Sequence, residues 1–221
     1  MTRSFTAPRR MRGRLLLSAS LLTTGLVSYG RPVMAQNYCQ TDAGQLNTYL
    51  CSGSLPDRQV IFGGQTPITV IADETADFSY PFATGLNVYG TDITIDVREG
   101  AKFATGLYVA TPRYGSVTGT AGVDIIFNGE IDQTTGLSSN AGIRVVGKYG
   151  DTQVTTGPGD ITLNSDKYNI GVDVRAKYQN AGDVTVNTGE GNITGGVFGV
   201  AARGNRDVSV TTQSGTVSGK D

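Results

Sequence analysis

A short phrase recurs along this chain of 221 residues: a glycine, an apolar residue, a variable residue and a second small or apolar residue. Its copies begin 21, 36, 29 and 28 residues apart. Repeats of this length are typical of stacked architectures, in which each unit buries its apolar face only against its neighbours. The copies are Gly85-Leu86-Asn87-Val88, Gly106-Leu107-Tyr108-Val109, Gly142-Ile143-Arg144-Val145, Gly171-Val172-Asp173-Val174 and Gly199-Val200-Ala201-Ala202.

Each of the last three units contains two further runs rich in Val or Ile. Successive side chains of a strand point to opposite faces, so these runs place Val, Ile and Leu inward and Asp, Thr and Arg outward. Glycine and asparagine stand at the corners between runs. The pattern predicts an all-β fold, a right-handed parallel β-helix (β-solenoid) with three short strands per coil, rather than a sandwich, which the in-register echo does not fit. The runs are 152–155, 183–186 and 207–210, and then 160–163, 192–194 and 216–218.

The amino terminus has the three parts of a secretory signal peptide. Five arginines precede an apolar run over 15–27, and Val33-Met34-Ala35 is a small-residue cleavage site. We therefore expect residues 1–35 to be removed on export and the protein to reach the cell surface, outer membrane or extracellular space through the periplasm. Without them the chain has 12 basic and 19 acidic residues, a net charge of −7. That balance argues against nucleic acid as a partner.

Both cysteines lie just after the predicted cleavage site. In an exported protein, Cys39 and Cys51 are expected to form one disulfide, which would pin an N-terminal cap over residues 36–57. A β-helix must shield its first coil, and 41–50 could supply a short helix or loop as a lid. A redox-active or metal-binding pair is disfavoured because there is no C-x-x-C spacing and no third ligand. Residues 58–221 are then the β-helix repeats.

The composition excludes most catalytic machinery. The chain has no histidine, so histidine general bases, Ser-His-Asp triads and the commonest zinc sites are ruled out. Carboxylate chemistry of the glycosidase kind survives, but the outward acids form no clustered pair, and we expect no catalytic site, cofactor or metal. The candidate carboxylates are Asp124, Asp173, Asp183 and Asp207, of which the last two occupy equivalent repeat positions.

A basic residue followed by tyrosine recurs seven or eight residues after three of the repeat glycines. The pairs are Arg113-Tyr114, Lys148-Tyr149 and Lys177-Tyr178. A ladder of Tyr114, Tyr149 and Tyr178 at one corner of consecutive coils could hold a sugar face or an acidic surface glycan. Tyrosine rings also stack on one another without any ligand, so the pattern equally suits a structural role.

The signal peptide, the early C-x(11)-C followed by Ser52-Gly53, and the Gly/Thr/Val/Asn repeats together resemble the N-terminal passenger region of a bacterial autotransporter. The resemblance implies a β-helical stalk at the cell surface that serves adhesion, autoaggregation or biofilm formation. Such proteins end in a translocating β-barrel. Because this sequence stops within a repeat, we expect a truncated chain whose membrane association would come only from that missing barrel.

Two classes of function remain open. The first is an exported structural and adhesive β-helix whose partners are host-cell or neighbouring-cell surfaces, including glycans. The second is a secreted carbohydrate-binding or polysaccharide-acting β-helix, which would use either the tyrosine ladder or a cluster of acids. An insertion over 132–139 in the longest repeat is expected to form a protruding loop.

Overall fold

A computed structural model describes residues 38–82, 84–111, 122–133, 141–163 and 169–219. The predicted signal peptide and Tyr114 lie outside these ranges. Within these ranges the regular secondary structure consists of β-strands alone. No helix long and apolar enough to cross a membrane is found among the described residues. The strands are β1 Gln40–Thr41, β2 Thr48–Cys51, β3 Gln59–Phe62, β4 Ile68–Ala72, β5 Asp77–Phe78, β6 Leu86–Tyr89, β7 Ile93–Val97, β8 Lys102–Phe103, β9 Leu107–Ala110, β10 Val123–Phe127, β11 Glu130–Gln133, β12 Ala141–Val146, β13 Gly150–Thr156, β14 Ile161–Leu163, β15 Ile170–Ala176, β16 Ala181–Thr188, β17 Ile193–Thr194, β18 Phe198–Gly204, β19 Val208–Thr212 and β20 Val217–Ser218.

These strands form three sheets that run along the stack. Sheet A has the order β1-β2-β4-β7-β10-β13-β16-β19, sheet B the order β5-β8-β11-β14-β17-β20, and sheet C the order β3-β6-β9-β12-β15-β18. From β4 onward the chain visits A, B and C in that order and then returns to A. Strands from successive coils pair in parallel, so the predicted parallel β-solenoid is confirmed.

The recurring glycine phrase is the register of sheet C. Leu86 pairs with Leu107, Leu107 with Ile143, and Ile143 with Val172 and so on to Val200. Each copy of the phrase therefore lies directly above the next. The apolar residues of the phrase face the interior and its variable residue faces outward.

The interior is a continuous apolar column. A stack of three fully buried phenylalanines runs through consecutive coils, with ring centroids 4.3 Å apart for Phe78 and Phe103 and 5.4 Å apart for Phe103 and Phe127. Val, Ile and Leu of all three sheets pack around them. Because each coil buries its apolar side chains against the coils above and below, the solenoid presents rigid outer faces.

The repeat glycines allow neighbouring coils to approach closely. A Cβ on Gly171 would lie 2.5 Å from the carbonyl oxygen of Gly199, and a Cβ on Gly142 would lie 2.8 Å from that of Gly171. Gly106 in addition has a φ of +138°, which disfavours any residue with a side chain. Close approach of successive backbones therefore explains the glycine that begins the phrase at positions 106, 142 and 171.

The N-terminal cap is a pair of strands. Cys39 and Cys51 form the predicted disulfide, and β1 pairs antiparallel with β2 through Gln40–Leu50 and Thr41–Tyr49. The expected helix or loop lid is thus corrected in part, because 48–51 continues sheet A as a strand and β1 covers its outer edge. Pairing that edge removes a row of open backbone groups that would otherwise accept another strand.

The expected protruding loop over 132–139 is also corrected at its start. Asp132 and Gln133 belong to β11 and pair with Thr162 and Leu163 of β14. Residues 134–139 lie outside the described ranges.

Replacing Gly171 by alanine should destabilise the stack by about 1–3 kcal/mol, because the added methyl group must push the backbone of Gly199 away. Urea unfolding of the variant measures this loss. Gly64→Ala is a poor control because Gly64 has a positive φ, whereas Gly44→Ala lies in an exposed turn and should change stability far less. Equal losses for Gly171→Ala and Gly44→Ala would contradict the close-approach explanation.

Breaking the disulfide should cost about 3 kcal/mol, because it releases a closed loop of this length in the unfolded chain. The comparison is urea unfolding of the parent and of Cys39→Ala, each with and without a reductant. The parent should lose stability on reduction, and the variant should be equally weak in both conditions. A parent whose unfolding midpoint ignores the reductant would show that the cap is held by packing alone.

Candidate functional site

Two columns of side chains run along the outer face of sheet C. Backbone pairing aligns the variable residues of the glycine phrase in one column, and the residues two positions later form the second. The first column contains Asn87, Tyr108, Arg144, Asp173 and Ala201, and the second contains Phe62, Tyr89, Ala110, Val146, Arg175 and Arg203.

An aromatic strip, consisting of Phe62, Tyr89 and Tyr108, occupies the first three coils of this face. The rings of Phe62 and Tyr89 are stacked with centroids 5.0 Å apart, and those of Tyr89 and Tyr108 are tilted with centroids 5.7 Å apart. Phe62 is 69% exposed although it lies within a strand. Tyr89 and Tyr108 are half-buried and present part of each ring to solvent. A row of outward aromatic side chains on a sheet is typical of a binding surface.

The aromatic strip leads into a cleft of about 430 Å³ on the next coils, within the size range of ligand sites. We call it the basic cleft. Tyr108 and Tyr178 contribute aromatic walls and Val146 an apolar patch. The remaining lining residues are four cations, Arg144, Lys148, Arg175 and Lys177.

Asp173 anchors the arginines of the basic cleft. Arg175 Nε donates a hydrogen bond to Oδ1 at 3.0 Å, and Arg175 Nη2 forms an ion pair with Oδ2 at 2.7 Å. Arg144 Nε lies 3.7 Å from Oδ2, too far for a hydrogen bond. The side chain of Asp173 is only 2% exposed, so its expected placement as a solvated outward acid is corrected. It faces outward, but the neighbouring arginines cover it.

The basic cleft carries an excess of positive charge. Four cations line the cleft, and the carboxylate of Asp173 pairs with two of them, Arg144 and Arg175. The Nε atom of Arg144 is buried and has no hydrogen-bond partner in the described part of the chain. Lys148 Nζ lies 5.3 Å from the ring centroid of Tyr178, within range of a cation–π interaction.

The tyrosine ladder expected from the sequence lies only partly at this site. Tyr178 is 42% exposed and lines the basic cleft, whereas Tyr149 is half-buried and is not among the lining residues. Tyr114 lies outside the described residues. The sequence analysis did not predict Phe62, Tyr89 and Tyr108 as site residues. They could have been found by looking for aromatic residues at outward positions within strands rather than at the corners between strands.

The candidate carboxylates are divided between faces. Asp183 and Asp207 precede Val184 and Val208, which pair in sheet A, so their equivalent positions are confirmed. Asp124 lies on β10 of the same sheet, whereas Asp173 lies on sheet C. The described residues contain no group of three or more acids and cysteines placed to hold a metal ion.

The outer face of sheet B is acidic. Asp77, Lys102 and Glu130 stack in register there, and Asp132 lies two positions beyond Glu130. Asp160 immediately precedes β14 on the same side of the stack and accepts a hydrogen bond from the backbone of Asn192. The positive charge of the solenoid is thus concentrated on sheet C.

Comparison of the chain with protein-family models, with curated proteins and with solved structures finds no significant match. The structural class of the protein is therefore described from its own fold and outer surface. It is a parallel β-solenoid, capped by a disulfide-linked strand pair, with an aromatic strip and a basic cleft on one outer face.

Burial raises the pKa of the Tyr108 phenol above 10, with a further contribution from Tyr89, while Arg144 opposes the shift. The folded state thus favours the neutral phenol, and this contribution to stability is lost as pH rises through the raised pKa. We expect Tyr108→Phe to reduce the fall in the free energy of unfolding as the pH rises above about 10, where the phenol of the unfolded chain begins to ionise. Tyr38→Phe, at an exposed tyrosine, is the control. An unchanged fall in the Tyr108→Phe variant would contradict this assignment.

Proposed function

We propose that the protein is an exported surface protein that binds carbohydrate chains of host or neighbouring cells, and so acts as an adhesive β-solenoid. The observation that carries this proposal is the aromatic strip on sheet C, where three rings are presented outward on consecutive coils and lead into the basic cleft. Aromatic rings offer large, rigid contact surfaces at low entropic cost.

The rigidity of the support favours binding. Phe62, Tyr89 and Tyr108 lie within strands that pair on the buried core, so their backbones are fixed before any ligand arrives. Neighbouring strands are about 4.8 Å apart, close to the length of one sugar residue in a linear chain. A repetitive glycan can therefore contact successive coils in the same manner.

Export is supported by the N-terminal features. A disulfide between Cys39 and Cys51 is stable in oxidising compartments outside the cytosol, and the predicted signal peptide precedes it. We extend the proposal to the autotransporter passenger class, which the order of signal peptide, early disulfide and repeats resembles. In that class, adhesion, autoaggregation or biofilm formation would follow from the exposed solenoid.

Binding is favoured over hydrolysis of polysaccharides. Glycosidases need two carboxylates on opposite sides of one bond. Here Asp173 is held by Arg175 on sheet C, while Asp124, Asp183 and Asp207 belong to the strands and turns of sheet A. The aromatic strip has no carboxylate among its three members.

The proposal is tested by retention of the protein on an immobilised neutral glucan and on immobilised polygalacturonate. We expect the double variant Phe62→Ala, Tyr89→Ala to bind at least one of the two glycans about tenfold or more weakly than the parent, because exposed aromatic anchors contribute much of the affinity at such surfaces. Ile126→Ala removes a comparably exposed apolar side chain from sheet A and is the matched control.

Unfolding midpoints of all variants show whether the strip has only a structural role. A parent that is retained on neither glycan, or a double variant that loses stability but keeps its affinity, would overturn the proposal. Adhesion of cells coated with the parent or with the double variant then extends the result from purified glycans to surfaces.

A further inference from the structure

We infer that the basic cleft binds the carboxylate or sulfate groups of an acidic glycan. This inference rests on the proposed function and names the class of carbohydrate. The aromatic strip would contact the faces of the sugar rings, and the basic cleft would select chains whose substituents carry negative charge.

The charge of the basic cleft is unusual for this molecule. The whole chain has a net charge of −1, and the outer face of sheet B is acidic, yet Arg144, Lys148, Arg175 and Lys177 converge on one cleft. Cations that line the same cleft repel one another, so a bound anion would stabilise the basic cleft. The carboxylate of Asp173 pairs with Arg144 and Arg175 and so serves two of the four cations.

The geometry of Asp173 shows what these cations bind. Its carboxylate accepts a hydrogen bond from Arg175 Nε at 3.0 Å and forms an ion pair with Arg175 Nη2 at 2.7 Å, a two-point contact of the kind that suits planar or multi-oxygen anions. That pair fixes the guanidinium of Arg175 in place. Arg144 makes a looser ion pair with the same carboxylate, at 3.7 Å, and its side chain remains 30% exposed. Arg144 is therefore the cation best placed to engage an added anion.

The two tyrosines fit a sugar rather than a bare ion. Tyr108 belongs to both the aromatic strip and the basic cleft, so one glycan chain can contact both. Burial raises the pKa of its phenol, which keeps the hydroxyl protonated and able to donate a hydrogen bond at neutral pH. Tyr178 forms the opposite aromatic wall beneath Lys148.

The extent of the positive surface argues against nucleic acid. A duplex carries a phosphate charge about every 1.7 Å along its axis and needs a long basic track. Here the clustered positive side chains belong to β12, β15 and the turns after them, and Arg203 on β18 adds one cation to the same face. Asp77, Glu130 and Asp132 make the adjoining sheet B acidic. An acidic polysaccharide, with one charge per sugar residue, matches a short basic cleft that continues into an aromatic strip.

The test measures binding of oligomers of galacturonate and of dextran sulfate, with an uncharged glucan of equal length as reference. The double variant Arg144→Gln, Lys177→Gln should bind the acidic oligomers at least about tenfold more weakly, because each lost charge-assisted hydrogen bond is strong in a partly desolvated site. Its affinity for the uncharged glucan should be unchanged. The matched control is Arg98→Gln, Lys102→Gln, which removes the same charge from exposed positions away from sheet C.

The carboxylated and sulfated probes separate the two sources of negative charge, and dependence on the basic cleft for either supports the inference. Equal weakening in the cleft and control variants would overturn it, since net charge alone would then explain the binding. Cleft-dependent binding of a DNA duplex at least as tight as that of the oligomers would also overturn it.

The two proposals fail differently. If the parent binds the uncharged glucan through the aromatic strip but its binding of acidic oligomers ignores Arg144 and Lys177, only the inference about the basic cleft is wrong. If the parent binds no glycan of any kind, the proposed function fails as well. A glycan carboxylate has the ordinary acidity of a carboxyl group and the chain has no histidine, so binding of the galacturonate oligomer should be flat from about pH 6 to about pH 9 and weaken below about pH 4.

Discussion

Parallel pairing of each coil with the next is the interaction on which the rest of this molecule depends. The backbone of Ile143 pairs with that of Leu107 on one side and that of Val172 on the other, and comparable pairs run through all three sheets. Such pairing demands that equivalent residues lie directly above one another, which in turn places apolar side chains in one interior column. The glycines at the start of each phrase make the approach possible, because a side chain at Gly142 or Gly171 would collide with the next backbone. The strand register, the apolar core and the outer columns of side chains thus all follow from the in-register pairing of successive coils.

Much of this architecture could be predicted from the sequence because it is periodic. The glycine phrase predicted the sheet C register, and the valine-rich runs predicted β13, β16 and β19, since alternation within a strand depends only on the strand itself. The disulfide was predicted from two cysteines close together after a predicted signal peptide. The lid over 41–50 was predicted less well, because nothing in its composition distinguishes a loop from a strand that adds to the edge of a sheet.

The site was harder to predict, because it depends on side chains that meet from different coils. Asp173 has the sequence environment of an exposed acid, and its burial results from Arg144, 29 residues earlier, and from Arg175. The tyrosines were expected at a corner after each repeat, where Tyr178 lies, but the aromatic strip is formed by Phe62, Tyr89 and Tyr108 inside strands. A row of this kind is recognised only when the register is known, since Phe62 lies before the first glycine phrase, Tyr89 follows its phrase and Tyr108 lies within one.

The separation of inward and outward columns has a consequence for how such a surface changes over generations. The interior positions are fixed by packing, whereas Asn87, Tyr108, Arg144 and Asp173 occupy the same backbone position in four successive coils with wholly different chemistry. Their side chains contact other residues of the outer face, as Asp173 does with Arg175. Single substitutions can therefore rewrite the outer face one rung at a time without a repacked interior. The backbone of the solenoid stays the same while its outward side chains can be exchanged. Point mutations can therefore give the outer face new chemical properties.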